Sequence, residues 1–313
     1  MILDNWGQRL VFFKLGVVPY VVTGKDIYAM SDRNASNTAL GTLFMRGVHQ
    51  LLDAKPLILD DPAALTMLGE DACRQIKNNK DHHQTLAARA LRAHVVLRSR
   101  FAEDRLAEAV GRGITQYVIL GAGFDTFAYR QPAWAKTLKI FEVDQPATQA
   151  QKRLRLEQAS MALPSNLRFA GIDFEHESLR DGLLRNGVSL TETSFFSWLG
   201  VTMYLKEEAI DAVLRTIAQF PLESEIAFTF AQPPDSLSGP ASSFHSSLSK
   251  IVSAVGEPFV SFFTPAAIET KLRQTGFKTI AFLSDEEAEE RYFRQRPTDL
   301  HIPKRSAIAY ATL

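Results

Sequence analysis

Two textures of hydrophobic and polar positions divide the chain near Gly113. Before it, apolar residues recur at helical spacing. In "NTALGTLFMRGVHQLLD", Leu40, Leu43, Phe44, Val48 and Leu51 share one helical face. "DDPAALTMLG" opens with Asp-Pro and closes on Gly69, the marks of a short helix. "QTLAARALRAHVVLRSRFAEDRLAEAVGRG" predicts a long helix ending at Gly111 or Gly113. After Gly113 the pattern shifts to seven short β-rich runs: "YVIL", "LKIFEVD", "LRFAGIDF", "SFFSWLG", "SEIAFTFA", "KTIAFLS" and "SAIAYATL". Helical runs "PATQAQKRLRLEQAS", "KEEAIDAVLRTIAQF" and "TPAAIETKLRQTG" lie between them. Strands alternating with helices predict βαβ units and a parallel sheet. The last two strands are separated by polar, Pro-broken "DEEAEERYFRQRPTDLHIPKR", so the sheet is expected to end antiparallel, in a hairpin. "QPPDSLSGPASSFHSSLS" reads as a loop leading into a helix. The predicted fold class is α/β: a doubly wound, mostly parallel seven-stranded Rossmann-like sheet with an antiparallel C-terminal strand and an N-terminal helical cap. Residues 1–313 form a single domain on this scheme, with the cap at 1–112 and the core at 113–313.

Composition narrows the partners. The chain has 313 residues, 46% of them hydrophobic, enough for one large α/β domain with an appendage. Its 35 basic and 35 acidic side chains balance, which argues against nucleic acid as a partner. The one cysteine, Cys73, excludes a disulfide within the chain and makes a cysteine metal site improbable; no metal is expected, and a cytoplasmic location fits. Leu10–Val22 resembles a signal segment, but Lys14 and Pro19 interrupt it, and packing on the domain is the simpler expectation. No run of about 18 apolar residues predicts a membrane span. Nothing in the sequence bears on oligomeric state.

Candidate chemistry concentrates at the predicted strand ends. The first strand runs into Gly121-Ala122-Gly123, the second ends at Asp144, 21 residues past Gly123, and the third ends at Asp173. Ligands of doubly wound sheets bind at this carboxyl edge, and an acid about 20 residues beyond the glycines is placed to accept ribose hydroxyls. A tight strand-to-helix turn explains the glycines alone equally well; the three strand ends in register favour a nucleoside. A dinucleotide fingerprint needs a third glycine where Thr126 stands, and Asp125 would set a carboxylate against a pyrophosphate. A phosphate-free ligand with a positive centre fits better, and S-adenosylmethionine is such a ligand. A nicotinamide-dependent oxidoreductase and a non-catalytic S-adenosylmethionine-binding protein are the alternatives.

"VILGAGFDTFAYR", "IFEVDQPATQAQKR", "IDFE" and "WLGVTMYL", in this order, resemble the leucine carboxyl methyltransferase family of S-adenosylmethionine-dependent class I methyltransferases, most of all its bacterial O-methyltransferase branch. The resemblance extends over roughly residues 35–231 and implies a methyltransferase sheet. It implies that Gly121 and Gly123 pass beneath the methionine part of the cofactor, that Asp144 holds the ribose hydroxyls, and that Asp173 and Phe174 hold the adenine. It also implies a basic residue for the cofactor carboxylate, matched by Arg98 with Arg100 as the alternative, and a second cation in the N-terminal element, matched by Arg46. An Arg fork binds a carboxylate in a bidentate way. One departure stands out. Relatives carry an acid where this chain has Leu199, so the ammonium of the cofactor falls to the carbonyls of Gly121 and Leu199 or to Asp125.

The implied reaction is O-methylation of a carboxylate or hydroxyl on a small molecule. A carboxylate acceptor is already ionised, whereas a hydroxyl needs a base. The histidines form no pattern of a base: His82 and His83 read as a loop or a helix start, and His245 and His301 as surface residues. Tyr204, just after the fourth strand, is the one catalytic candidate, with packing as its alternative. "RLVFFKLGVVPY" and the loop from Gln232 to Ser243 are expected to line the acceptor pocket.

Overall fold

The computed structural model describes residues 36–174, 176–234, 257–297, 299–303 and 307–313, together with an isolated backbone pairing of Ile2–Leu3 with Arg9–Leu10. Of the expected acceptor-pocket segments, residues 11–20 of "RLVFFKLGVVPY" and 235–243 of the loop, together with His245, lie outside the described residues.

Seven strands build one sheet: β1 (Gln116–Leu120), β2 (Lys139–Asp144), β3 (Leu167–Gly171), β4 (Ser194–Trp198), β5 (Glu225–Phe230), β6 (Thr279–Phe282) and β7 (Ala307–Thr312). Their spatial order is β3-β2-β1-β4-β5-β7-β6. The first five strands run parallel. β7 inserts between β5 and β6, antiparallel to both. The fold is therefore the mostly parallel sheet with one antiparallel C-terminal strand that the alternation predicted. Strands β1, β4 and β5 are buried at every position, as befits a sheet covered on both faces.

The pleat sorts neighbouring residues to opposite faces. Val118 and Leu120 join one core, while Tyr117 and Ile119 join the other. The first core is closed by α5 (Leu179–Arg185), α6 (Glu207–Ile217) and α7 (Pro265–Thr275), through Leu183, Leu214 and Leu272. The second is closed by the long α3 (Leu86–Gly111), through Val96, Leu97, Phe101 and Leu106. A third, smaller cluster joins Leu43 of α1 (Asn37–Leu52), Met67 of α2 (Pro62–Asn78), Leu156 of α4 (Pro146–Gln158) and Phe124.

Local chemistry sets the helix starts. Ser36, Asp61 and Thr85 each accept from a backbone N–H three residues on, opening α1, α2 and α3, and Pro62 stands in the first turn of α2. Three features depart from the sequence pattern. Helix α2 does not end at Gly69 but continues to Asn78 across a break at that glycine. Helix α5 was not anticipated, because "LRDGLLR" is too short to display a period. Charged 285–293 is helical after all, a short helix passing into a π turn, and it buries Ala288, Tyr292 and Phe293 against α3.

One connection bears directly on function. After β1 the chain forms only two three-residue turns, Phe127–Tyr129 and Ala133–Ala135, before β2. No helix of useful length begins at the glycine turn.

Candidate functional site

The sheet's switch point lies between β1 and β4, the two strands from which the chain departs in opposite directions, and ligands of such sheets bind in that crevice. The glycine turn follows β1 there, and Leu199–Gly200–Val201 follows β4. Gly121 and Gly123 hold φ of +66° and +48°, in the left-handed region where a side chain is strained. A Cβ on Gly121 would collide with Val201, and one on Gly123 would lie 2.9 Å from the Ala39 methyl of α1. The turn is thus pressed by the end of β4 from one side and by the cap from the other.

Asp144, the last residue of β2, reaches across to this turn. Its Oδ2 accepts from the Gly123 N–H at 2.5 Å and its Oδ1 from the Gln145 N–H at 2.7 Å. Each carboxylate oxygen keeps a lone pair for a further donor. Burial pushes the Asp144 carboxyl above the usual range, and the two N–H groups work against that rise. Asp173 and Phe174 follow β3 at the same edge. The Asp173 carboxylate meets His176 Nδ1 at 3.0 Å, its N–H donates to Glu177 Oε1 at 2.9 Å, and the Phe174 ring packs on the first core.

Arg98 rises from α3 on the other side of the crevice. It is 9% exposed, and its guanidinium lies against Gly200, where a Cβ would collide with it. Its Nη1 approaches His94 Nε2 at 3.5 Å, its Nε has no partner, and no acid forms an ion pair with it among the described residues. Burial, followed by repulsion from Arg46, lowers its pKa to about 10, so it remains a cation at neutral pH. A buried guanidinium without a counter-ion matches an incoming carboxylate. Arg100 points elsewhere and pairs with Asp104 at 2.9 Å on an exposed face.

Arg46 is also buried; its two Nη groups are committed, while its Nε has no partner among the described residues. It reaches Thr126 Oγ1 at 3.1 Å, Ser99 Oγ at 3.1 Å and Asp125 Oδ2 at 3.3 Å. Asp61 lies 3.7 Å away. Asp125 is occupied as well, since its Oδ1 accepts from the Phe127 N–H at 2.8 Å. Burial would raise its pKa, but Arg46, Lys152 and Arg130 together lower it, so it stays ionised.

Beneath the turn lies a second buried pair. Lys152 of α4 donates to Glu142 Oε2 at 2.5 Å and to the Asp125 carbonyl at 2.6 Å. Both side chains are 1% exposed. Burial pushes the Glu142 carboxyl up to about 7 despite the lysine.

Tyr204 closes the crevice near α1. It lies beside Thr38, its ring sits 5.3 Å from that of Phe259, and burial pushes its pKa up to about 12. Glu257 caps the start of α1, accepting from the Asn37 N–H at 2.7 Å, from Ser36 Oγ at 3.2 Å and from the Thr38 hydroxyl. Leu199 is half-buried against the second core. His83 proves buried and His301 exposed.

The structure thus gathers Arg98, Gly121, Gly123, Asp144, Leu199 and Tyr204 around one crevice, with Asp173 and Phe174 further along the same edge and Arg46 one layer below. Sequence pattern missed Thr38, His94, Glu257 and the Glu142–Lys152 pair. Glu257 lies 220 residues from its partner Asn37, and no local periodicity carries such a contact. Among the described residues no cluster suits a metal ion, and no helix is long and apolar enough to cross a membrane.

Known proteins resemble this chain in sequence and in fold. The model of the family described as "Leucine carboxyl methyltransferase" matches residues 39–218. The chain is 32% identical, over 292 residues, to the Bacillus subtilis (strain 168) protein named "Putative S-adenosyl-L-methionine-dependent methyltransferase YktD". That match covers 87% of this chain and 95% of the relative. A similarly named Mycobacterium marinum protein is 31% identical over 53% of this chain and 56% of its own length. In fold, the chain resembles the crystal structure of a DUF574 family protein from Streptomyces avermitilis. The TM-score is 0.57 at 16% identity, covering 90% of this chain and 98% of the other.

Proposed function

This chain belongs to the leucine carboxyl methyltransferase family, and on that premise we propose that it methylates an oxygen of a small molecule, a carboxylate or a hydroxyl. It is an S-adenosylmethionine-dependent methyltransferase, and S-adenosylmethionine is its cofactor. When bound, the cofactor supplies an electrophilic methyl group on a sulfonium.

The residues of the crevice fit that cofactor, and the observation that carries the assignment is Arg98. Its buried guanidinium has no counter-ion among the described residues and would hold the cofactor carboxylate. Asp144, with one lone pair free on each oxygen, would take the ribose hydroxyls. Asp173 and Phe174 would take the adenine. Asp125 is spent on Arg46 and on a backbone N–H, which leaves the carbonyls of Gly121 and Leu199 for the ammonium. Arg46 would act on the cofactor through Asp125 and Thr126 of the turn, with its unpartnered Nε as a further donor.

Alignment and exclusion of water supply most of the catalysis in such a transfer. Tyr204, with its pKa pushed up to about 12, keeps its proton and serves as a donor that orients the acceptor rather than as a base. Its neighbours Phe259 and Phe262 give that wall an aromatic face. A pyrophosphate-bearing cofactor is disfavoured, because the glycine turn opens no helix whose N-terminus could receive it.

Calorimetric titration with S-adenosylhomocysteine tests the assignment. Saturable one-site binding is expected. No binding at millimolar ligand, or binding of NADH in its place, would overturn it.

A further inference from the structure

We propose that Lys152 is a positioning residue for the cofactor site, whose ammonium ties the Asp125 carbonyl to Glu142 and so fixes the glycine turn against the end of β2. The proposal rests on the assignment of this crevice to S-adenosylmethionine.

Lys152 makes no contact with the crevice itself. It lies 1% exposed under the turn, and its donors have three destinations: Glu142 Oε2 at 2.5 Å, the Asp125 carbonyl at 2.6 Å, and the Tyr129 ring, 5.4 Å from the ammonium to its centroid. The first destination is on β2, two residues before Asp144 and therefore on the same face of the strand. The second is on the turn, two residues after Gly123. One ammonium thus holds both halves of the bond by which Gly123 donates to Asp144 Oδ2. Gln149, one turn earlier on α4, fixes the lever's base by donating to the carbonyls of Glu142 at 2.8 Å and Ala170 at 3.0 Å.

Stability alone gives a poor account of this pair. Burying both charges is expensive, and an apolar pair of equal volume often serves stability as well or better. Glu142 Oε1 is buried without a partner, which adds to that expense. What the apolar pair could not do is bond the Asp125 carbonyl. The charge has a second use: it favours the ionised form of Asp144, which burial opposes.

The test separates positioning from mere support. K152M leaves Glu142 unpaired and is expected to lower both the melting temperature and the affinity for S-adenosylhomocysteine. E142Q/K152M removes the stranded charge. Its melting temperature should recover, while its affinity should stay at least about tenfold below wild type, the scale of one lost charge-assisted contact. Wild-type affinity in the double variant would overturn the proposal. Should neither variant fold, the pH profile decides. The groups facing Glu142 are Lys152 from α4, Asp125 and Tyr129 from the turn, and Asp144 on its own strand. Protonating Glu142 breaks the ion pair, so wild-type affinity should fall as pH drops through about 7, and E142Q should lack that inflection. A wild-type profile flat through that range, or an inflection retained in E142Q, would refute it. Failure of the wild-type protein to bind S-adenosylhomocysteine at any pH would instead sink the cofactor assignment.

Discussion

Replacing Asp144 by alanine removes a carboxylate that already spans the end of β2 and the glycine turn. A hydrogen bond to a charged group contributes about 1.5–3 kcal/mol, so losing the ribose acceptor should weaken cofactor binding about 10- to 150-fold. The structure adds a second effect in the same direction, because the Gly123 N–H loses its acceptor and the turn loses its brace. Asp144→Asn keeps the volume, yet its amide can present only one oxygen. Its –NH2 must face the N–H of either Gly123 or Gln145, donor against donor. Both variants should therefore bind S-adenosylhomocysteine weakly in calorimetry while keeping the wild-type melting temperature within a few degrees. An affinity within twofold of wild type in either variant would show that the ribose lies elsewhere and would refute the assignment of this strand end.

Other substitutions probe the remaining contacts. Arg98→Ala should weaken S-adenosylhomocysteine by more than about tenfold but leave 5′-methylthioadenosine, which lacks the amino acid carboxylate, nearly unaffected; equal loss for both ligands would contradict the carboxylate role. Gly200→Ala sets a methyl against the Arg98 guanidinium and should reproduce the Arg98→Ala pattern in the same titrations. Tyr204→Phe should lower kcat without creating or removing a pH inflection below about pH 11, because the tyrosine stays protonated there. His83 is buried, and its pKa is lowered to about 4 by burial and then by Arg92. Below its unfolded pKa of about 6.5 the unfolded chain takes up this proton first, so stability from this residue is present above that pH and lost as pH falls toward about 4. Urea titrations at pH 5 and 7 should differ by less in His83→Leu than in wild type.

The fold was legible where pattern and length agreed. Each of the seven β-rich runs contains a strand, with ends within three residues; β1, β4 and β5, parallel and buried on both faces, read as continuous apolar runs. Helix α1 was legible in extent but less so in orientation. Of its predicted face, Leu43 and Val48 are buried, but so are Arg46 and His49, since the helix packs on more than one side. Burial of charge beside partners distant in sequence is invisible to periodicity. The site shows the same division. The glycines, Asp144 and Asp173 were legible as candidates because each lies at or just past the end of a strand, and the sheet aligns strand ends. Arg98 needed the family resemblance, because nothing in the helix pattern distinguishes it from Arg100; in the structure one is buried against Gly200 and the other exposed beside Asp104. Thr38, Glu257 and Lys152 meet the site only through tertiary contacts.

Methyl transfer itself is the most direct test of the central claim. Incubation with tritiated-methyl S-adenosylmethionine and a cellular extract, followed by separation of labelled products by size, reads out both activity and acceptor. The account predicts enzyme-dependent label in the small-molecule fraction, abolished by Asp144→Ala. Base-labile label would mark a carboxyl ester and base-stable label a methyl ether. Label confined to protein or nucleic acid, or no transfer by an enzyme that binds S-adenosylhomocysteine, would contradict it.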